Sequence, residues 1–187
     1  MANEESVLII GLGNYGRKFT KNRHNVGFIA LDFLAEHFNI DWKINSSYAV
    51  AKFENIYFLK PLTGMNLSGI PVINFLKKNR STFSIDKIIT VSDDLETKPM
   101  IAKLKSRISP KGHNGLRSLD SHLSNFFKID INKLNYTQYR IGIGHPQKHQ
   151  LEIDGNIPVH SFVLGNLSLE EIEFIKESVL RDLIDNS

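Results

Sequence analysis

The sequence predicts an α/β fold: a single domain, residues 1–187, built on a mixed, twisted β-sheet with helices on both faces. Short apolar runs typical of buried strands, such as residues 6–10 and 87–92, alternate with longer segments whose apolar residues recur at helical spacing. Two strand-like runs, 49–53 and 56–60, are separated only by a two-residue turn, as in a hairpin. A chain of 187 residues is long enough to bury one core.

Helices are predicted wherever apolar residues repeat every three or four positions. The first begins near Val26, and the last follows a capping box formed by Ser168 and Glu171. Residues 101–107 alternate apolar and basic side chains, which predicts a strand with one buried and one charged face. The remaining predicted elements are helices at 68–78 and 116–123 and a strand at 139–143, and residues 145–160 are expected to form a long surface loop.

Composition narrows the possible function classes. With 41% hydrophobic and 23% charged residues the chain is globular rather than disordered. It has no cysteine, so disulfides and thiolate metal sites are excluded. Its first residues carry two acids and only a short apolar run, so we expect no secretion signal, no membrane span and a cytoplasmic protein.

Charge is distributed unevenly, although the net charge is only +3. No acidic residue occurs between Glu5 and Asp32, nor between Glu96 and Asp120, and both stretches contain several Lys and Arg. If the two stretches fold together, they form a positive face suited to phosphate groups. Charge alone is equally compatible with two separate, solvated loops.

Residues 11–16 form a Gly-x-Gly-x-x-Gly turn after a predicted strand, the pattern of many dinucleotide sites. In those sites a helix opens at the third glycine, but residues 17–22 have no apolar stripe. Asp32, which lies at about the right distance to bind a ribose, falls inside a predicted helix rather than at a strand end. We therefore expect no dinucleotide cofactor, and a titration with NAD(P) would exclude the oxidoreductase alternative.

A single histidine, His24, lies between the first strand and the first helix. A helix N-terminus disfavours imidazolium, which predicts a neutral side chain able to accept a proton. A general base needs a partner for its other ring nitrogen. Asp93, at the end of a predicted strand, is the candidate, and Asp94 is the alternative because strand neighbours point to opposite faces. A structural histidine and a solvated Asp-Asp turn are the simpler interpretation, and no further ligands are spaced for a metal site.

Three asparagines, Asn14, Asn66 and Asn114, lie near glycines in predicted loops. Neutral amides recognise a peptide backbone whatever its side chains, and an amide NH₂ can stabilise an oxyanion. Each asparagine alone is ordinary turn chemistry. Together with His24 they predict a pocket.

Several short motifs occur in order along nearly the whole chain, and Arg-His-Asn-Val-Gly and Gly-His-Asn-Gly-Leu are specific in combination. The motifs are Gly-Leu-Gly-Asn (11–14), Arg-His-Asn-Val-Gly (23–27), Lys-Pro (60–61), Met-Asn-Leu-Ser-Gly (65–69), Asp-Asp-Leu (93–95), Gly-His-Asn-Gly-Leu (112–116), Arg-Ile-Gly-Ile-Gly (140–144) and Val-Leu-Gly (163–165). In this order the chain resembles the bacterial peptidyl-tRNA hydrolase family.

The resemblance implies a monomeric enzyme that cleaves the ester between a peptide, or an N-blocked aminoacyl group, and the 3′-terminal ribose of tRNA. It implies no metal and no cofactor, and a role in recycling tRNA from stalled or aborted translation. It implies that His24 is the general base, Asp93 its partner and Asn14 a catalytic amide. The substrate-binding residues that it implies are Phe19, Gly64, Met65, Asn66 and Asn114, and the implied tRNA-binding residues are Lys103, Lys105 and His113.

The chain departs from the family pattern at a few positions. Tyr15 stands where the family has Pro, Phe19 where it has Tyr, Gly64 where it has Phe, and Ser109-Pro110-Lys111 where it has a glycine-rich run. Phe19 keeps a ring without its hydroxyl, whereas Gly64 removes an aromatic wall that Tyr15 partly replaces. No departure falls on His24 or Asp93, which disfavours the alternative of an RNA-binding module without catalysis.

Overall fold

The computed structural model describes residues 5–151 and 156–185 and contains one seven-stranded sheet. The strands are β1 (Val7–Gly11), β2 (Lys43–Ile44), β3 (Tyr48–Phe53), β4 (Ile56–Pro61), β5 (Ile88–Asp94), β6 (Ala102–Ser106) and β7 (Thr137–Gly142). The helices are α1 (Val26–His37), α2 (Gly69–Lys78), α3 (Asn114–Phe127), α4 (Val159–Val163) and α5 (Leu169–Val179), and a π-helical turn (Leu180–Asp185) follows α5.

The strand order β2-β3-β4-β1-β5-β7-β6 confirms the predicted mixed sheet. The central strands β4, β1, β5 and β7 are parallel, and antiparallel pairs form the two edges. The predicted hairpin is β3–β4, with Phe53 paired to Ile56. The predicted capping box is also present, since Ser168 and Glu171 bond reciprocally at the start of α5.

Helices cover both faces of the sheet, as predicted, and give two hydrophobic cores. Residues of α1 and α5 pack with Ile9 and Val91 on one face. Residues of α2 and α3 pack with Leu8, Ile10 and Ile88 on the other. The central strands are therefore apolar on both sides, because each side faces a helical layer.

Strand β6 corrects one prediction. The alternation in residues 101–107 predicts a buried face, but β6 is exposed almost throughout and Leu104 keeps 45% of its surface. Alternation indicates a strand, whereas burial also needs a layer above it. Strand β6 is an edge strand, and no helix in the described ranges packs on its outer face.

Two further segments differ from expectation. Helix α3 extends from Asn114 to Phe127, beyond the predicted 116–123, and Phe126 and Phe127 in its last turn pack against the core. The expected loop at 145–160 ends in α4, and residues 152–155 lie outside the described part of the chain. Of the helices that could be searched, none is long and apolar enough to cross a membrane.

The strand order also determines where a site can form. After β1 and α1 the chain enters the sheet at edge strand β2 and runs through β3 to β4, beside β1. It then crosses to β5, on the other side of β1. Such a reversal leaves a crevice beyond the carboxyl ends of the two strands. Strand β1 leads into Asn14, and β5 ends at Asp93 and Asp94.

Candidate active site

A cavity of about 700 Å³ opens at this end of the sheet. One wall comes from the segments after β1 and β4, including Asn14 and Asn66. A second wall is the loop 108–113 that leads into α3, and α4 contributes further lining residues. His24, Asp93 and the N-terminus of α3 lie at the cavity's inner surface.

Two histidines bind one buried carboxylate in this cavity. His24 Nδ1 lies 2.9 and 3.0 Å from the two carboxylate oxygens of Asp93. His113 Nε2 lies 2.9 Å from Asp93 Oδ1. The two rings are 5.0 Å apart between centroids, and Asp93 is only 5% exposed.

Two glycines let the helices that carry these histidines approach closely. Gly27 is in the first turn of α1, and a Cβ there would collide with the backbone of Leu12 and Val91. Gly115 is in the first turn of α3, where a Cβ would collide with the sulfur of Met65. The N-terminus of α1 can therefore lie on the strand ends and that of α3 on the turn at Met65, and both rings reach one carboxylate.

The hydrogen bonds define the tautomers of both rings. The Leu116 amide donates to His113 Nδ1 at 3.2 Å, so in a neutral ring Nε2 carries the proton and donates it to Asp93. His24 likewise donates its Nδ1 proton to Asp93. Its Nε2 then keeps a lone pair, and within residues 5–151 and 156–185 no group bonds to that nitrogen. The His24 side chain is 15% exposed, at the cavity.

Electrostatics changes one prediction about His24. Burial lowers its pKa, but the charge of Asp93 and the hydrogen bond to it outweigh burial, so the pKa lies above its ordinary value of 6.5. The helix N-terminus was expected to disfavour the imidazolium, whereas the adjacent carboxylate favours it. Burial opposes ionisation of Asp93 as well, yet its two imidazole partners hold the pKa of Asp93 well below its usual range.

Hydrogen bonds fix the backbone and the side-chain oxygen of Asn14. Its amide oxygen accepts the Met65 N–H at 2.8 Å, and its backbone N–H and C=O bond to the side chain of Asn25 at 2.8 and 2.9 Å. With the oxygen occupied, the NH₂ group of Asn14 remains for a ligand. Asn25 is 2% exposed and was not selected from the sequence as a site residue. Its position beside His24 was the available signal.

The cavity brings together most of the residues selected from the sequence. Those that line it are Asn14, Phe19, His24, Met65, Asn66, Asp93, His113 and Asn114. Gly64 lies just outside the lining, next to Met65. Asp94 also lines the cavity, but its oxygens bond to Glu96 and Thr97 in the following turn, so it is not the partner of His24.

Lys103 and Lys105 lie outside the cavity, on edge strand β6. In the sheet register Lys103 is opposite Arg140 and Lys105 is opposite Gln138, and both partners line the cavity. Arg140 belongs to the Arg-Ile-Gly-Ile-Gly motif but was not predicted as a site residue. Its Nε is buried with no hydrogen-bond partner in the described ranges, and its Nη1 is 3.9 Å from Asp94. The wall therefore carries a cation with unused hydrogen-bond capacity.

The two imidazoles and the carboxylate could also hold a metal ion in geometric terms. One ligand atom from each of His24, Asp93 and His113 lies within 4.8 Å of the others. Two imidazoles and one carboxylate suit several transition metals. Hydrogen bonds among these atoms account for each of them.

The sequence as a whole matches the family model described as Peptidyl-tRNA hydrolase over residues 8–186. The chain belongs to the peptidyl-tRNA hydrolase family. It is 36% identical over 175 residues to the peptidyl-tRNA hydrolase of Sulfurimonas denitrificans, covering 92% of this chain and 84% of that one. It is 33% identical over 181 residues to that of Rickettsia felis, covering 94% and 88%.

Solved structures agree with the family assignment. The crystal structure of peptidyl-tRNA hydrolase from Acinetobacter baumannii superposes with a TM-score of 0.76 at 29% identity, covering 94% of this chain and 83% of that one. The [NiFe] hydrogenase maturation protease HybD from Thermococcus kodakarensis has a TM-score of 0.52 at 15% identity, covering 97% and 98%, which shows a shared fold alone. The protein is thus a carboxylic ester hydrolase whose substrate is peptidyl-tRNA.

Proposed function

We propose that this peptidyl-tRNA hydrolase works by general base catalysis from His24. The observation that carries the proposal is the free Nε2 lone pair at the cavity, on a ring whose Nδ1 proton is bound by the buried carboxylate of Asp93. A base must be within reach of a water that can attack the scissile carbonyl. The cavity of about 700 Å³ has room for that water and for the peptide end of the substrate.

The steps follow from the charges on the two groups. Nε2 of His24 removes a proton from water, and the resulting hydroxide attacks the ester carbonyl to form a tetrahedral oxyanion. The imidazolium is stabilised by the carboxylate of Asp93, which stays ionised because its pKa is low. When the intermediate collapses, the ribose oxygen leaves and takes the proton from Nε2. The products are a free peptide carboxylic acid and tRNA.

The amides of the cavity supply substrate recognition. The NH₂ of Asn14 is directed to the ligand because its oxygen accepts the Met65 N–H, and this donor can stabilise the oxyanion. Asn66 and Asn114 are exposed in the lining of the cavity and can bond to the peptide backbone. We infer from this that N-acylated aminoacyl-tRNA is hydrolysed in preference to the free aminoacyl form, and Asn14→Ala should reduce that preference.

Replacement of the base is the direct test of the mechanism. His24→Ala should lower kcat by about 10²–10⁴-fold, the usual contribution of a positioned general base, and leave tRNA binding intact. His37→Ala, an exposed histidine at the far end of α1, serves as the matched control and should keep wild-type rates. Near-complete activity of His24→Ala would refute the assignment of the base.

We further propose that the edge strand β6 meets the phosphates of tRNA. Lys103 and Lys105 are exposed there, next to the cavity wall that holds Arg140. Each phosphate contact made by a cation adds about one unit to the slope of log affinity against log salt. Lys105→Glu should therefore weaken binding and flatten the slope, whereas Lys77→Glu on α2 should not. An unchanged slope in Lys105→Glu would remove β6 from the tRNA site.

The cellular setting is part of the same proposal. Peptidyl-tRNA arises from translation, so we infer a cytoplasmic enzyme that returns tRNA from stalled or aborted ribosomes. The family resemblance implies a monomer. Sedimentation at the protein concentration used for kinetics tests whether the enzyme is a monomer. Activity found only in a dimer would contradict the monomeric state.

A further inference from the structure

A second buried polar cluster lies beside the cavity, at the base of its loop wall. Its members come from three elements: Arg107 follows β6, Asp120 is in α3, and Tyr136 and Gln138 belong to the start of β7 and the residues before it. Asp120 is 1% exposed, and Tyr136 and Gln138 are fully buried. None of these side chains was selected from the sequence as a functional residue.

The cluster satisfies nearly all of its polar atoms. Arg107 donates from Nε and Nη2 to Asp120 Oδ2 at 3.1 and 2.6 Å, a fork on one oxygen. The Tyr136 hydroxyl donates to the other oxygen, Oδ1, at 2.6 Å. Gln138 Nε2 in turn lies 3.4 Å from the Tyr136 oxygen. The carboxylate thus has one cation and one neutral donor.

The same residues attach the first part of the loop to β7. The backbone N–H of Arg107 donates to the Tyr136 carbonyl at 2.9 Å. The next residue, Ile108, exchanges two bonds with the amide of Gln138: its N–H donates to Oε1 and its carbonyl accepts from Nε2, each at 3.3 Å. The side chain of Gln138 therefore continues the strand pairing where β6 has ended.

The loop that begins here forms one wall of the cavity. Residues 108–113 all line it, and at their far end His113 caps α3, the helix that carries Asp120. This is also where Ser109-Pro110-Lys111 replaces the glycine-rich run of the family pattern. A bound first turn and a proline leave this loop fewer conformations than a run of glycines would.

We propose that Arg107, Asp120 and Tyr136 are positioning residues that hold residues 108–112 of the loop wall in their substrate-binding conformation. They act on affinity rather than on proton transfer, because His113 and Asp93 are held independently. His113 is attached through the Leu116 amide at the helix N-terminus, and Asp93 through β5 and His24. A wall fixed before binding spares the substrate the entropy of ordering it. This inference rests on the cavity being the peptidyl-tRNA site of the proposed function.

The test replaces the whole cluster with apolar side chains of similar size: Arg107→Met, Asp120→Leu and Tyr136→Phe together. Exchanging a buried ion pair for apolar groups is often neutral or stabilising, so the variant should fold and keep its Tm. Its KM for N-acylated aminoacyl-tRNA should rise about 3- to 10-fold, with kcat and its pH profile kept, because only the order of the wall is lost. The matched control is Glu173→Leu with Lys176→Met, an exposed ion pair on α5, which should keep the wild-type KM.

Hydrogen exchange gives a second readout that does not need activity. The amides of Arg107 and Ile108 should exchange faster in the triple variant than in the wild type, while the amides of Leu116 and of β5 keep their protection. A purely structural role would lower Tm and leave KM unchanged, and an unchanged KM in the folded variant overturns the proposal.

A conservative variant decides the matter if the triple variant does not fold. Arg107→Lys keeps the positive charge beside Asp120 but loses the two-point fork, so KM should rise by less than in the triple variant. A KM equal to that of the wild type would then overturn the proposal. Failure of the general base assignment would instead appear as retained kcat in His24→Ala, so the two failures are distinguishable.

Discussion

Two aspartates are buried in the described part of the chain, 27 residues apart, and the clusters around them differ in the atoms that their partners leave unused. Asp93 accepts from two imidazoles, and Asp120 accepts from a guanidinium and a phenol. Both are nearly inaccessible. Arg107 and Tyr136 turn their donors inward to Asp120, whereas His24 has a second ring nitrogen that faces the cavity with no partner among the described residues.

That difference separates a reactive cluster from a fixed one. Both carboxylates orient their partners, and only in the Asp93 cluster does the partner retain a group that can exchange a proton. Partners also differ in basicity, since an imidazole titrates near neutral pH and a guanidinium does not. Burial of a carboxylate is therefore not in itself a sign of catalysis; the unused atom of its partner is.

The largest expected effect comes from Asp93→Asn, which breaks the reactive cluster. The amide cannot hold the Nδ1–H tautomer of His24 with a full charge, and kcat should fall by about 10²–10⁴-fold. The pH dependence should move as well. With His24 as the proposed base, we expect the wild-type kcat to rise with pH as His24 loses its proton, with a midpoint above 6.5 because Asp93 raises that pKa.

Asp93→Asn removes the charge that raises the pKa of His24, whereas the burial that lowers this pKa remains. The midpoint of the pH profile should therefore shift to lower pH. Rate profiles between pH 5 and pH 9 would measure both effects, and Glu173→Gln on the exposed face of α5 is the control. A midpoint that moves upward would show that Asp93 does not stabilise the imidazolium.

A smaller effect, and on a different quantity, is expected from Asp120→Asn in the fixed cluster. The guanidinium of Arg107 would remain largely buried without its carboxylate, which costs about 3–5 kcal/mol of unfolding free energy. Urea denaturation measures this loss, and the slope m should stay the same. The residual folded enzyme should keep its kcat, in contrast with Asp93→Asn. A loss below 1 kcal/mol would mean that the cluster contributes little to stability.

The smallest effect belongs to His113, which joins Asp93 to helix α3. His113→Ala removes one hydrogen bond to a charged acceptor, so kcat should fall about tenfold. It also removes a helix cap, at about 1 kcal/mol of stability. His113→Asn keeps a capping oxygen, but its side chain is too short to reach Asp93. Its kcat should therefore fall as in His113→Ala, while the stability from the helix cap is kept. Equal rates in His113→Asn and the wild type would show that Asp93 needs only one imidazole.

The sequence predicted the sheet, the main helices and the pairing candidates His24 and Asp93 because those signals are local. A buried strand that ends in an acid, and a histidine just before a helix, are visible in short windows. The choice between Asp93 and Asp94 is not visible in a short window, because it depends on which side of β5 the helix α1 covers. The raised pKa of His24 was missed for the same reason: it comes from a carboxylate 69 positions away.

The second cluster had no sequence signal at all. Arg107, Asp120 and Tyr136 are common residue types at no recurring spacing, and they meet only because β6, α3 and β7 pack together. The prediction of a buried face on β6 was wrong for the same reason. Alternation shows which residues share a face but not whether another layer covers that face. Tertiary packing supplies both answers.

The open edge of β6 has a consequence for how copies of this enzyme behave toward one another. An edge strand presents unpaired backbone groups that can join the sheet of a second molecule, and lysines on such a strand oppose that joining. Lys103 and Lys105 occupy this position beside the exposed Leu104. The charges proposed to attract tRNA would then also keep the protein dispersed. Replacing both lysines with valine should cause light scattering that increases with protein concentration, even without peptidyl-tRNA. A variant that stays clear at high concentration would argue against this second role.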